Sequence, residues 1–356
     1  MKRVAADSVE RIEPADKPAL RPVFTLAIIA LPVLLILFLI PRPSGITAQG
    51  WRMLAIFLST VSALMLRPLP TGASVLIGLT LTVLTGVLTL PQALSAYGST
   101  TVWLVLSAFL IARALLNSGL ARRIALIFVR TIGHTSLGLG YSLSASNLVL
   151  AAIIPSNSAR IGGVILPITR SLAAIYQSLP GSTAALLGTY LMLTIYQADV
   201  VACAMFLTGQ AGNPIGKDLA LKTAAVSISW ASWLWASLIP GLAAAAVVPW
   251  IVYKLSPPEI RATPDAATMA RKELKLMGPL SRNEKVVLSV FILVTGLWAT
   301  SSLHSIHTTT VALLGVGVLL GTRTLAWDEA AREHVGWDVF VWYGGLIRMG
   351  EALSDW

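Results

Sequence analysis

The sequence predicts an all-α, polytopic membrane fold, and three observations carry that prediction. Apolar residues make up 56% of the 356 positions and charged residues only 12%, where an ordinary globular chain carries about 25% charged. Mean hydropathy is +0.77. Apolar runs approaching the roughly 20 residues of a transmembrane helix recur along the chain, with basic residues gathered between alternate runs. A soluble domain of this size needs a charged exterior that this composition does not supply.

The placement of charge also bears on partners. The formal net charge is +10, which by itself would suit nucleic acid. The basic residues instead cluster before the first apolar run (Lys2 to Arg21), in the connection holding Arg122, Arg123 and Arg130, and in a linker from Lys254 to Lys285. That alternation is the positive-inside pattern, which orients helices in a bilayer. The expected partner is therefore the lipid bilayer, and nucleic acid is not expected. Cys203 is the only cysteine, so no disulfide framework or Cys-x-x-Cys site is available. His134, His304, His307 and His334 have no metal-ligand spacing, and no HExxH or GxSxG motif occurs. No enzyme is expected.

The elements follow in order. Residues 1–22 read as a cytoplasmic N-terminal segment, too long and polar a lead for a cleaved signal peptide. Spans are predicted at 23–40, 51–66, 72–90 and 99–117, which returns the chain to the cytoplasm where Arg122–Arg130 lies. A pair of apolar arms, 139–154 and 161–176, then flanks the polar turn Pro155-Ser156-Asn157-Ser158-Ala159-Arg160. Each arm of about 15 residues reaches ~22 Å at helical rise, short of the ~30 Å hydrocarbon core. The lengths favour a re-entrant hairpin at about 139–176 over two full spans. Residues 187–207 are apolar again, until Thr208-Gly209-Gln210-Ala211-Gly212-Asn213-Pro214-Ile215-Gly216 interrupts them. Glycine and proline at this density do not sit inside a regular helix. Read as one broken helix over about 187–228, the segment lets 230–253 return the chain, and the basic linker 254–285 falls in the cytoplasm. Trp230, Trp233 and Trp235 fit interfacial anchoring.

After the linker come predicted spans at 286–302, 309–321 and 337–353, and here the chain repeats itself. Asp338–Leu353 overlies Thr101–Leu116 at an offset of 237, with Val102 on Val339, Trp103 on Phe340 and the small pair Ser107-Ala108 on Gly344-Gly345. Ala93 meets Ala330 at the same offset. Counting crossings gives the two copies opposite directions, and an inverted repeat is a secondary-transporter device. The expected organisation is a first repeat over 23–253, the linker, and the start of a second repeat over 286–356. The offset places a second hairpin tip near 393–395, beyond Trp356, so the second repeat is expected to be incomplete, with an intact minimal form as the alternative.

The tip and the break carry the candidate chemistry. The second arm starts at the tip, so its free N–H groups and positive dipole end point toward the middle of the membrane. Ser156 and Asn157 are N-cap types that also offer neutral hydroxyl and amide groups to a carboxylate. Carbonyls at the end of the first arm and along 208–213 can ligate a sodium ion. Arg160, just past the tip, is costly in lipid and must face a cavity or a partner. Read as a fixed positive charge near an anion, it favours obligate exchange; read structurally, it pairs or snorkels. Asp199 can bind a cation or pair with an arginine. Arg113 and Arg170 read as snorkelling side chains.

PSNSARIGGVILPI at 155–168, AMFLTGQAGNPIG at 204–216 and WDVFVWYGGLI at 337–347 resemble the divalent anion:sodium symporter family, with the closer likeness to its bacterial and plastid citrate, tartrate and 2-oxoglutarate/malate carriers. The resemblance runs from residue 23 onward. It implies secondary active transport of di- or tricarboxylates by anion exchange or sodium symport, elevator-like, in a bacterial inner membrane, with a homodimer for the full-length carrier. Residue by residue, it implies substrate contacts at Ser156, Asn157, Ser158, Thr208, Asn213 and Pro214, to which the reading of the residues themselves adds Arg160, and sodium ligands at Ser156, Asn157, Gly209 and Asn213. The third tip position departs from the family's threonine: Ser158 keeps the hydroxyl and loses a methyl. Two alternatives stand beside this reading, a non-functional fragment of such a carrier and a different cation or anion antiporter on the same fold. The second of these needs a buried acidic pair, and only Asp199 is at hand.

Overall fold

A computed structural model describes residues 35–354 apart from 153, 302 and 305, together with 27, 31 and 33. The expected cytoplasmic segment 1–22 and most of the expected span 23–40 lie outside the described residues. Among the described residues the secondary structure is helical, with one isolated bridge between Thr135 and Ala262 and no strand. The helices are α1 (Ala48–Leu66), α2 (Thr71–Leu84), α3 (Leu90–Leu94), α4 (Thr100–Ser118), α5 (Leu120–Ile132) and α6 (Ser136–Ala151). Then come α7 (Asn157–Arg160), running through a π-helical stretch Ile161–Ile165 into α8 (Leu166–Ile175), and α9 (Gly188–Met205), α10 (Gly212–Ala224) and α11 (Trp230–Leu255). The remainder are α12 (Pro264–Met277), α13 (Arg282–Ala299), α14 (Thr308–Gly321), α15 (Trp327–Ala331) and α16 (His334–Ser354). Helices α1, α4 and α11 are long and apolar enough to cross a membrane. The chain forms two compact units, one from the residues up to Ser99 with Asp338 onward, the other Thr100–Trp337.

The repeat seen in the sequence is written into the helix boundaries. α14 (Thr308–Gly321) lies 237 residues after α2 (Thr71–Leu84), and α15 (Trp327–Ala331) lies 237 after α3 (Leu90–Leu94). The turns match bond for bond. After α2 the amides of Val87 and Leu88 both donate to Thr82 O, and after α14 those of Thr324 and Leu325 both donate to Leu319 O. Each turn needs one left-handed residue, supplied by Gly86 (φ +69°) in the first copy and Arg323 (φ +56°) in the second. This turn also ends the helix expected over 72–90 at Leu84, because a left-handed residue cannot continue a right-handed helix. Ala93 and Ala330, paired by the offset, are both buried.

The copies interleave. In the unit containing α1–α3, the start of α2 is held by Asp338 of α16: Gly72 N donates to Asp338 Oδ1 at 2.9 Å, and the Thr71 hydroxyl donates to the other carboxylate oxygen. Three residues of that unit's core, Val75, Leu79 and Met349, show α16 packed against α2. The approach depends on the small pair Gly344-Gly345. A Cβ on Gly345 would stand 2.3 Å from Val75 Cγ1, and one on Gly344 would stand 2.8 Å from the Tyr97 ring. In the other unit the relation is repeated with the roles exchanged, since Thr309 Oγ1 of α14 donates to Thr100 O at the start of α4 (2.9 Å). Small residues that let helix backbones close up are a recurrent membrane packing device.

Within Thr100–Trp337 the two stretches expected as basic connections are helical. α5 and α12 run antiparallel. Arg123, near the start of α5, reaches the carbonyls of Met277 and Gly278 at the end of α12, and Thr263 N, before α12, donates to His134 O beyond the end of α5. Leu120, Ala125, Leu126 and Val129 of α5 and Ala266, Ala267 and Ala270 of α12 are buried. Both helices are amphipathic, with an apolar stripe on one face and no long apolar run.

Candidate functional site

The hairpin tip and the helix break meet in the second unit. Arm α6 ends at Ala151, and the chain resumes helix at Asn157, so the second arm takes in Asn157, Ser158, Ala159 and Arg160, which were expected in the turn. The reason is local: Ser156 is an N-cap whose Oγ accepts from Ala159 N at 3.2 Å. The first arm has 16 residues, about 24 Å long. The second, running from α7 through α8, is about 28 Å, longer than expected and close to the ~30 Å hydrocarbon core. The π-helical turn directly after Arg160 is the kind of local irregularity often found at functional sites.

The break is equally defined by local chemistry. Phe206 leaves the helix with extended backbone (φ −116°, ψ 138°). The carbonyls freed by that exit are met by a side chain, since Asn213 Nδ2 donates to Cys203 O and to Phe206 O, each at 2.8 Å. Gly209 is needed here for space: a Cβ would lie 2.7 Å from Cys203 O. Pro214, in the first turn of α10 where its missing N–H costs nothing, is buried.

Arg160 joins the two irregular segments. Its side chain is fully buried. Nε donates to Asn147 Oδ1 (3.1 Å), and Nη1 to Ile154 O (2.5 Å) in the turn after the first arm and to Gly209 O (2.7 Å) in the break. Nη2 donates to Asp199 Oδ1 (2.9 Å) and to Cys203 Sγ (3.0 Å). A guanidinium has five N–H donors, and all five are used. Asp199 Oδ1 also accepts from Asn147 Nδ2 at 3.1 Å. The result is a closed Arg160–Asp199–Asn147 network of zero net charge, in which the desolvation cost of two buried ions is offset by mutual attraction and complete hydrogen bonding.

This arrangement redistributes the expected site residues. Of the two readings of Arg160, a fixed charge facing an anion or a structural partner, the bonds are those of the second: its charge is balanced by Asp199 and no donor is left over. The buried-acid role open to Asp199 is taken by that pairing. Thr208 donates through Oγ1 to Ala152 O (2.7 Å) and accepts from Trp230 Nε1 (3.2 Å), a second tie between break and tip. Trp230 is correspondingly no interfacial anchor: it is buried, with its ring 6.3 Å from that of Phe206 and 6.1 Å from that of Trp298. Trp233 donates to Ala204 O, while Trp235 is 70% exposed. Asn213 holds the break closed. Of the expected contacts, Asn157 and Ser158 face open space and Ser156 is half-buried. The free polar surface of the tip is therefore the Asn157 amide, the Ser158 hydroxyl and the first backbone N–H groups of the second arm, which have no partner within the helix.

Two members of the network were not singled out from the sequence. Asn147 is buried on α6, and the signal for it was an amide in an otherwise small and apolar arm, which hydrocarbon does not tolerate without a partner. Cys203, read from the sequence only as unable to form a disulfide, accepts a hydrogen bond from the guanidinium. Only the fold brings these residues together.

Residues 23–356 match the family model described as the sodium:sulfate symporter transmembrane region. The chain is 41% identical to YflS of Bacillus subtilis (strain 168) over 329 residues, covering 92% of this chain and 69% of YflS. It is 42% identical over 323 residues to the Arabidopsis thaliana protein named dicarboxylate transporter 1, chloroplastic, covering 90% of this chain and 58% of that protein. It is 34% identical over 345 residues to the citrate/succinate antiporter of Escherichia coli (strain K12), covering 90% of this chain and 71% of the antiporter. The chain thus spans little more than half the length of the chloroplast protein and about seven tenths of the two bacterial ones.

Proposed function

This chain belongs to the sodium:sulfate symporter transmembrane-region family, a family of multi-pass membrane transporters, and from that premise we propose that it serves the transport of di- or tricarboxylates by exchange. Three lines support the substrate class. A relative named as a dicarboxylate transporter and another named as a citrate/succinate antiporter align with nine tenths of the chain. The tip offers one carboxylate-sized set of neutral donors, the Asn157 amide, the Ser158 hydroxyl and helix N-terminal N–H groups. Neutral donors hold an anion without a fixed charge that would trap it, and the helix dipole favours the anion there by about 0.3–1 kcal/mol.

The observation that carries exchange over symport is the pair of bonds from Arg160 Nη1 to Ile154 O and Gly209 O. Those carbonyls, one from each irregular segment, are the hard oxygen ligands a sodium ion would take. Here a covalently attached cation occupies them and cannot leave with the substrate. Sodium ligation through Gly209, with Ser156, Asn157 and Asn213, fits poorly as well, because Asn213 Oδ1 accepts from Gln210 Nε2 (2.9 Å) and Ser156 Oγ accepts from Ala159 N. With its charge balanced by Asp199, Arg160 acts as a positioning residue: it fixes the tip against the break so that Asn157 and Ser158 keep their places. Elevator-like movement of the hairpin, an inner-membrane location with the N-terminus in the cytoplasm, and a homodimer complete the proposal.

Sodium symport is the second reading, favoured by the family's own description. Uptake of labelled succinate and citrate into proteoliposomes, preloaded or empty, in sodium or choline buffer, separates the two. Exchange predicts uptake that needs internal substrate and is indifferent to sodium. Uptake that rises steeply with sodium and needs no preloading would establish symport, and no specific uptake under any of these conditions would overturn the carrier reading.

A further inference from the structure

The antiparallel helices α5 and α12 line an open groove of about 390 Å³, none of whose lining residues belongs to the hairpin tip network. Its α5 wall is Arg123, Ile127 and Arg130, spaced to lie on one face, and its α12 wall includes Arg271 and Lys275, one turn apart. The acids within reach of this region are already committed. Glu284 holds Arg123 at 2.6 Å, and Glu273, on the opposite side of α12 from Arg271, holds Arg122 at 2.9 Å. Asp265 lies beside Tyr176. The side chains of Arg130, Arg271 and Lys275 have no ion-pair or hydrogen-bond partner among the described residues.

Three uncompensated cations in one groove call for an anion, and their surroundings say of what kind. Ile127 within the groove is 40% exposed, and Leu276, next to Lys275, is 73% exposed. Apolar side chains turned outward beside unpaired cations, on amphipathic helices attached to membrane spans, are the composition of a helix seated at the bilayer surface. A free anion would leave those apolar shoulders in water. A phospholipid satisfies both, its head group on the cations and its acyl chains along the apolar shoulder.

We propose that the α5–α12 groove is a binding site for the head group of an anionic phospholipid, held by Arg130, Arg271 and Lys275. The site is separate from the tip and break and does not depend on which substrate is carried. Its role is to fix α5 and α12 at the membrane surface, and with them Arg123, whose bonds to Glu284, Met277 O and Gly278 O join both helices to the start of α13.

The test uses the whole chain in phosphatidylcholine-containing micelles and a tail-labelled phosphatidylglycerol as probe, read by fluorescence anisotropy. Near a membrane surface each basic residue contributes about 1 kcal/mol of attraction to anionic lipid, a factor of about five. R271Q alone is therefore expected to weaken binding about five-fold, and R130Q/R271Q/K275Q to abolish the preference over labelled phosphatidylcholine. The charge-conserving R130K/R271K/K275R restores it, and the distant K217Q leaves it intact. Arg271 is exposed, so R271Q carries the test if the triple variant does not fold. Unchanged affinity in R271Q or in the triple variant overturns the proposal. Displacement of the probe by millimolar inorganic phosphate overturns it too, showing a free-anion site in its place.

Discussion

Replacing Arg160 by methionine is the most informative single perturbation. The substitution keeps side-chain bulk and removes five hydrogen bonds, to Asn147, Ile154 O, Gly209 O, Asp199 and Cys203. What remains is a nearly buried Asp199 carboxylate with only Asn147 and the Cys203 thiol beside it, both neutral. Breaking a buried ion pair from one side costs about 3–5 kcal/mol, and leaving the two carbonyls short of a donor adds about 1–3 kcal/mol for each that finds no water. Against a total stability of roughly 5–15 kcal/mol, this is a large fraction. At about 2–4 °C per kcal/mol for a unit of this size, the 3–5 kcal/mol alone corresponds to a fall in apparent Tm of ~6–20 °C, measured by tryptophan fluorescence in detergent micelles. The companion variants are D199L and R160M/D199L. If the pair acts as one network, the double variant loses far less than the sum of the singles, because no buried charge is left alone. A fall of less than ~2 °C in R160M, or additive losses in the double variant, would refute the closed-network account.

Three further outcomes follow from the geometry. Burial pushes the Glu284 carboxyl up, but the hydrogen bonds from Arg123 and from the Ser281 amide outweigh it and leave the group below its ordinary value. Its contribution is therefore fully present above the unfolded glutamate value of about 4.3 and is lost as pH falls through the lower folded value. E284Q should lower Tm at pH 7, by the equivalent of about 3 kcal/mol, and flatten the acid side of a Tm–pH profile. G345A should destabilise by about 1–3 kcal/mol, since the new methyl would meet Val75 Cγ1 at 2.3 Å and Leu79 Cδ1 at 2.9 Å; the control G350A, with nothing within 4 Å, should not. R323G should raise stability by a few tenths to ~1 kcal/mol by relieving a left-handed arginine, and G86A should cost about as much; opposite signs at these equivalent turns are the check, by chemical denaturation.

Much of the fold was legible because its signals are local. Ser156 marks a helix start, and Gly209 and Pro214 mark a break; each is a statement about one or two residues' backbone freedom or capping. The offset of 237 was visible at Asp338–Leu353 over Thr101–Leu116 and reappears in α2 and α14 and in the turns after them. Other features were misjudged for equally local reasons. The expected span 72–90 overran Gly86, whose left-handed conformation stops the helix. α5 and α12 passed for basic linkers because an apolar stripe only every third or fourth residue leaves mean hydropathy low.

Pairing is where sequence reasoning stopped. Asp199 lies 39 residues from Arg160, and Asn147 lies on a third helix. Whether Arg160 met an anion, snorkelled or paired was an open choice between readings that look alike in one dimension. The sequence by itself determined that the chain is a helical membrane protein with a repeat, a polar tip and a broken helix, because hydropathy, glycine, proline and helix caps act on their immediate neighbours. Only the tertiary structure decided that Arg160 closes on Asp199 and the Gly209 carbonyl, leaving Asn157 and Ser158 free. A buried charge takes whichever partners packing brings within hydrogen-bond reach, and packing is a property of all the helices together.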